Sequence, residues 1–67
     1  MTDERKLEIV RQFKEEIYKR FNLNVMSDEN LETVIEQMIV EKLGSEYITI
    51  EERVDIMERV YSSIRGL

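Results

Sequence analysis

The chain has no cysteine, no histidine and no proline, and only two glycines, at positions 44 and 66. Without cysteine and histidine it has neither disulfides nor the residues of a Cys/His zinc site, so its stability has to come from packing apolar side chains. Apolar residues make up 42% of the 67 residues, enough for one small core. An uncrosslinked, charge-rich domain of this kind fits a reducing cytoplasm, and we predict a cytoplasmic location.

Long apolar runs are also missing. The longest uninterrupted one is Met38 to Val40, far short of the roughly 20 residues needed to span a bilayer, so direct membrane insertion is not expected. The formal net charge is -5, from 15 acidic and 10 basic residues. Because nucleic-acid phosphates repel such an excess, the sequence predicts no nucleic-acid partner.

Three segments show apolar residues at every third or fourth position. This periodicity predicts helices over about 3–21, 28–43 and 50–65. The short connections favour antiparallel neighbours, so the predicted fold is all-α, a small three-helix bundle running up, down and up. Residues 47–50 also alternate in a strand-like way, and a short extended bridge there is the alternative to a plain loop.

Capping residues mark the helix ends. Ser27 is the expected N-cap of the second helix, and Thr49 with Glu52 forms a TxxE capping box at the start of the third. Gly44 and Gly66 follow the second and third helices, where they are expected to take the left-handed conformation of a helix C-terminus.

The apolar periodicity also predicts which face of each helix lies in the core. The expected inner residues are Leu7, Val10, Phe13, Ile17 and Phe21, then Leu31, Val34, Ile35 and Met38, then Ile50, Val54, Met57, Val60, Tyr61 and Ile64; in the first loop Leu23 and Val25 are expected to fold over the core. At about 100 degrees per residue, Ile9, Val40 and Ile56 point away from these faces. We predict that at least two of these three form a partner-binding patch; the alternative is ordinary exposed apolar residues.

Catalytic and metal-binding constellations are not found. Glu32 and Glu36 lie one turn apart, but metal sites built from carboxylates on helices need inward-facing Glu with Glu-x-x-His pairs, and histidine is absent. The serines and threonines have no imidazole to activate them, and no phosphate-binding GxxxxGK[ST] loop occurs. We therefore expect no enzyme activity, no cofactor and no metal in this chain.

The third predicted helix contains a longer recognisable run. It includes Glu52-Arg53-Val54 and ends in Glu58-Arg59-Val60-Tyr61-Ser62-Ser63-Ile64-Arg65-Gly66-Leu67. This run resembles the helix just before the nucleotide-binding part of CpaF-like ATPases, the bacterial motors of type II/IV secretion and tight-adherence pilus assembly. In that family an N-terminal helical region ends in an Ile-Arg-Gly-Leu-like segment and then passes into the ATPase.

The resemblance implies a non-catalytic N-terminal domain of a longer, hexameric motor. Such a domain would dock to the secretion platform or pack on neighbouring subunits, while the family's catalytic motifs lie downstream of this chain. Two other interpretations stay open. One is a free-standing adaptor or regulatory protein that binds a partner through exposed apolar residues. The other, opposed by the charge of the second and third helices, is a helix-turn-helix DNA-binding protein.

Overall fold

The computed structural model describes residues 1–66, which contain three helices and no strand. Helix α1 spans Asp3–Arg20, α2 spans Asp28–Leu43 and α3 spans Ile50–Arg65. The predicted all-α three-helix bundle is confirmed, and the helix bounds agree with the predicted ones to within one residue. Residues 47–49 form no extended bridge.

Contacts between helix ends fix the direction of each helix. Lys6 Nζ lies 3.1 Å from Asp55 Oδ2, so the N-terminal halves of α1 and α3 are adjacent. At the opposite end, Arg65 Nε lies 3.0 Å from Oδ1 of Asp28, the first residue of α2. Helices α1 and α3 therefore run in the same direction and α2 runs against them, and α3 packs against both.

A hydroxyl side chain begins each helix. The side-chain oxygens of Thr2, Ser27 and Thr49 each accept a hydrogen bond of 3.1 Å from the backbone N–H three residues later. The predicted capping box is confirmed, because the Thr49 N–H also donates to Glu52 Oε1 at 3.0 Å. These bonds pair backbone donors that a helix N-terminus otherwise leaves free.

The two glycines end their helices differently. Gly66 has φ 74° and is left-handed as predicted. The prediction for Gly44 is wrong, because it has φ -63° and ψ -24°, a right-handed conformation. The chain instead leaves α2 through a turn in which the Glu46 N–H donates to the Leu43 carbonyl at 3.0 Å. A Cβ at Gly44 would lie 2.5 Å from the Val40 carbonyl oxygen, so this position needs glycine for space.

The core consists of side chains from all three helices. The buried residues are Ile9, Val10, Phe13 and Ile17 of α1, Leu31, Ile35, Met38, Ile39 and Leu43 of α2, and Ile56 and Val60 of α3. Each helix contributes residues spaced four apart, and such rows form the ridges that interlock when helices pack. Within residues 1–66 no polar or charged residue is buried.

Most of the predicted inner residues of α1 and α2 are buried, but α3 turns a different side to the core than the sequence predicts. In α1, Leu7 is 60% exposed and Ile9 is buried; in α3, Ile50 and Val54 are exposed and Ile56 is buried. The core-facing direction of α3 is thus rotated by about a quarter turn from the predicted one. Helix α3 carries two overlapping apolar stripes. The neighbouring helices, and not the periodicity, determine which of the two is buried.

The loop between α1 and α2 is held by the end of α3. Leu23 packs against the core as predicted, but Val25 is 81% exposed, so that part of the prediction is wrong. Arg65 donates from Nη1 to the Leu23 carbonyl at 3.3 Å and from Nη2 to the Met26 carbonyl at 2.7 Å. These bonds pair loop carbonyls and leave Val25 outside the contact.

Candidate protein-binding surface

The three residues predicted to form a docking patch do not lie together on the surface. Ile9 and Ile56 are 1% and 0% exposed and belong to the core, so the predicted patch is wrong. The reason is that α1 buries Ile9 while leaving Leu7 exposed, and that the rotation of α3 turns Ile56 inward. Val40 is exposed on α2, where its surroundings are polar. It is an isolated apolar residue of the kind that any protein surface shows.

Four apolar residues of α3 form a continuous row beside the core, two of them exposed and two half-buried. We call Ile50, Val54, Met57 and Tyr61 the α3 stripe. Their spacing of four, three and four places them on one side of the helix. Ile50 is 79% exposed and Val54 47% exposed, while Met57 and Tyr61 are half-buried against the core. In the preceding loop, Tyr47 is 94% exposed.

The α3 stripe borders a groove between α2 and α3. This α2–α3 groove has a volume of about 370 Å³ and is lined by Glu32, Val54, Met57, Glu58, Tyr61 and Ser62. The volume is at the small end for ligand pockets, and the groove is open to solvent along its length. Its shape therefore suits a side chain or a short helix of another protein better than an enclosed small molecule.

Negative charge surrounds this groove. Of the 15 acidic and 10 basic residues, α1 holds five and six, which leaves ten acidic and four basic for the rest of the chain. Several of these carboxylates are neutralised within the fold, as Asp55 is by Lys6 and Arg59. Glu32 and Glu58, which line the groove from α2 and α3, have no cation within ion-pair distance in residues 1–66.

Tyr61 lies at one end of the groove. Burial raises the pKa of its hydroxyl, and the nearby carboxylate of Asp28 raises that pKa further. The Arg65 guanidinium lowers it, and Glu32 has a smaller raising effect. The hydroxyl therefore stays protonated at neutral pH and is available to donate a hydrogen bond. This end of the groove combines an aromatic ring, a donor and two carboxylates.

The paired carboxylates Glu32 and Glu36 are both exposed on α2. Within residues 1–66, no group of three or more acidic side chains could hold a metal ion. In the same part of the chain, no helix has both the length and the apolar character to cross a membrane.

Comparison with protein-family models, with curated proteins and with solved structures finds no match to this chain. The resemblance of residues 52–67 to CpaF-like ATPases therefore stays a prediction. In this structure Arg65 holds the loop between α1 and α2 through its hydrogen bonds, and Gly66 ends α3. Leu67, the last residue of the resemblance, lies outside the described residues.

Proposed function

We propose that this chain is a non-catalytic protein-interaction domain that binds its partner through the α3 stripe. The observation that carries the proposal is the exposure of Ile50 and Val54 in one row with Met57 and Tyr61, which are half-buried against the core. Removing the remaining exposed surface of Ile50 and Val54 from water would contribute roughly 2–3 kcal/mol, before the entropic cost of association. A few such residues commonly dominate the binding energy of an interface.

We also propose that the parent protein is a CpaF-like ATPase. The support is the resemblance of residues 52–67, together with an all-α fold that suits the N-terminal helical region of that family. In that setting the α3 stripe would contact the secretion platform, a neighbouring subunit or the remainder of the parent. A free-standing adaptor would use the same stripe, so the two interpretations differ in the parent protein and not in the binding surface.

The size of the protein in its source cell tests the parent. An immunoblot with an antibody against this domain should show a band several times larger than 8.1 kDa. A band at 8.1 kDa would refute the ATPase and leave the adaptor. Extracts prepared under denaturing conditions with protease inhibitors exclude proteolysis as the source of a small band.

Photocrosslinking in the cell tests the surface. A photoreactive amino acid at Val54 should give a protein adduct of defined mass, whereas the same group at Gln37, exposed on the Val40 side of α2, should not. Excess purified domain should compete for the Val54 adduct, and an Ile50→Gln variant should compete less well. Equal adducts at both positions, or none at Val54, would contradict the proposal.

A further inference from the structure

We propose that the occupant of the α2–α3 groove is a basic amphipathic helix of a partner protein. Such a helix presents apolar residues at every third or fourth position and Lys or Arg on both flanks. The inference rests on the proposed function and specifies the chemistry of the partner. It is argued from the shape of the groove, from the charges on its two sides and from the poor fit of a second copy of this chain.

The shape of the groove favours a helix. The α3 stripe extends over residues 50–61, which corresponds to about 16 Å along the helix axis, or three turns. A helix laid beside it can place one apolar side chain per turn on this stripe, the usual arrangement of a helix in a groove. An extended peptide would fit less well, because the backbone groups in the interior of α2 and α3 are paired along each helix and offer no strand edge for pairing.

The charges favour a basic partner. Glu32 lines the groove from α2, and Glu58 lines it from α3 beside Val54 and Met57. Neither has a cation of its own within residues 1–66. A helix with Lys or Arg on both flanks would pair with both carboxylates while its apolar face covers the stripe. Acidic or neutral helices would leave these carboxylates unpaired, which costs affinity and slows association.

A second copy of this chain fits the groove less well. Symmetric pairing of two α3 stripes would bring Glu32 and Glu58 of both copies together, and like charges across an interface repel. The outer side of α1 carries Leu7 and Tyr18, but the net charge of the whole helix is only one positive, from six basic and five acidic residues. That small positive charge offers little attraction to the two carboxylates.

The test uses the whole chain and a synthetic peptide of about four helical turns. The peptide has Leu at the stripe spacing and Lys on both flanks; one control peptide has the same composition with the leucines scrambled, and another has Glu in place of Lys. In a titration of the isotopically labelled domain, the largest amide shift changes should fall on residues 54–61 and on Glu32. The scrambled and acidic peptides should bind at least about tenfold more weakly.

Paired variants test the charges. Glu32→Gln with Glu58→Gln should weaken binding of the basic peptide about five- to tenfold, as expected for two exposed ion pairs. Glu15→Gln with Glu41→Gln removes the same formal charge from exposed positions that do not line the groove, so its effect should stay below about twofold. Circular dichroism at the titration temperature should show both variants folded.

Four results would overturn the inference. If the two double variants weakened peptide binding equally, the effect would come from net charge and not from Glu32 and Glu58. Shift changes outside the groove would place the peptide elsewhere. Concentration-dependent dimerisation abolished by Val54→Gln would make a second copy the occupant. If Val54 crosslinks to a protein in cells and yet the basic peptide does not bind, the proposed function stands and this inference fails; if no crosslink forms, the proposed function itself fails.

Discussion

Replacing Arg65 with Ala should remove a large share of the stability of this small domain. The Arg65 guanidinium donates to the Met26 carbonyl at 2.7 Å and to the Leu23 carbonyl at 3.3 Å, and its Nε lies 3.0 Å from Asp28. The side chain is only 23% exposed, so water cannot fully replace these contacts. The substitution would release the loop between α1 and α2 from the end of α3.

The size of the effect follows from the separate contacts of Arg65. A buried hydrogen bond from a charged donor contributes about 1.5–3 kcal/mol. The 2.7 Å bond to the Met26 carbonyl belongs at the lower end of this range, because the Arg65 side chain is partly exposed. The 3.3 Å bond to the Leu23 carbonyl is weaker. The ion pair with Asp28, whose side chain is 67% exposed, adds less than about 1 kcal/mol. The expected total loss is therefore about 2–3 kcal/mol.

Urea denaturation followed by circular dichroism measures this loss. With a denaturant slope of about 1 kcal/mol/M, the midpoint should fall by roughly 2–3 M, and the melting temperature by about 10–20 °C. Arg65→Lys keeps the charge but loses the two-pronged geometry, and should lose about 1–2 kcal/mol. The matched control is Arg59→Ala, which removes one exposed ion pair with Asp55 in the same helix and should cost less than about 0.5 kcal/mol. Equal losses for Arg65→Ala and Arg59→Ala would refute the reasoning.

Three further predictions concern the core, the acidic side chains and one glycine. Ile56→Ala should lower the free energy of unfolding by about 3 kcal/mol, because the side chain is fully buried, whereas Val54→Ala should cost less than about 1 kcal/mol; the urea midpoints of the two variants check this. The pKa of Glu52 is lowered from its ordinary 4.5, mainly by the hydrogen bond from the Thr49 backbone and next by the amino-terminal amine. The stability that Glu52 contributes is therefore complete above pH 4.5 and is lost as the pH falls through the lowered pKa. As the pH is lowered from about 7, the urea concentration at the unfolding midpoint should decrease once the pH is below 4.5. In Glu52→Gln this decrease should be smaller. Gly44→Ala and Gly44→Asn should destabilise the domain to a similar extent in thermal melts, because either Cβ meets the carbonyl oxygen four residues earlier; a clear advantage of Asn would indicate a left-handed residue instead.

The helix bounds could be predicted from the sequence because their causes are local. Ser27 and Thr49 accept hydrogen bonds from backbone N–H groups three residues away, and Glu52 completes a capping box within one turn. Such contacts depend only on neighbouring residues and not on the rest of the fold. The same holds for Gly66, whose left-handed conformation follows from its place at the end of α3.

The buried face of α3 could not be predicted from periodicity, because its causes are not local. Helix α3 has two rows of helical spacing, one formed by Ile56 and Val60 and the other being the α3 stripe. The side on which α1 and α2 pack determines which row is buried. Gly44 shows the same limitation. Its conformation depends on the turn that leads from α2 toward α3, and not on its identity as a glycine after a helix.

The sequence does contain a signal for the α3 stripe, in the width of the apolar surface of α3. From Ile56 round to Val54, apolar side chains cover an arc of about 160 degrees, wider than the stripe of about 100 degrees that one face of a packed helix typically buries. Helix α1 has a comparable excess at Leu7 and Tyr18, but there Lys14 Nζ lies 6.0 Å from the centre of the Tyr18 ring and partly covers it. No cation lies over the ring of Tyr61 within residues 1–66, and Ile50 and Val54 stay open to solvent. An excess of apolar surface that folding does not bury, bordered by carboxylates without cations, is the ground on which we propose α3 as the binding helix.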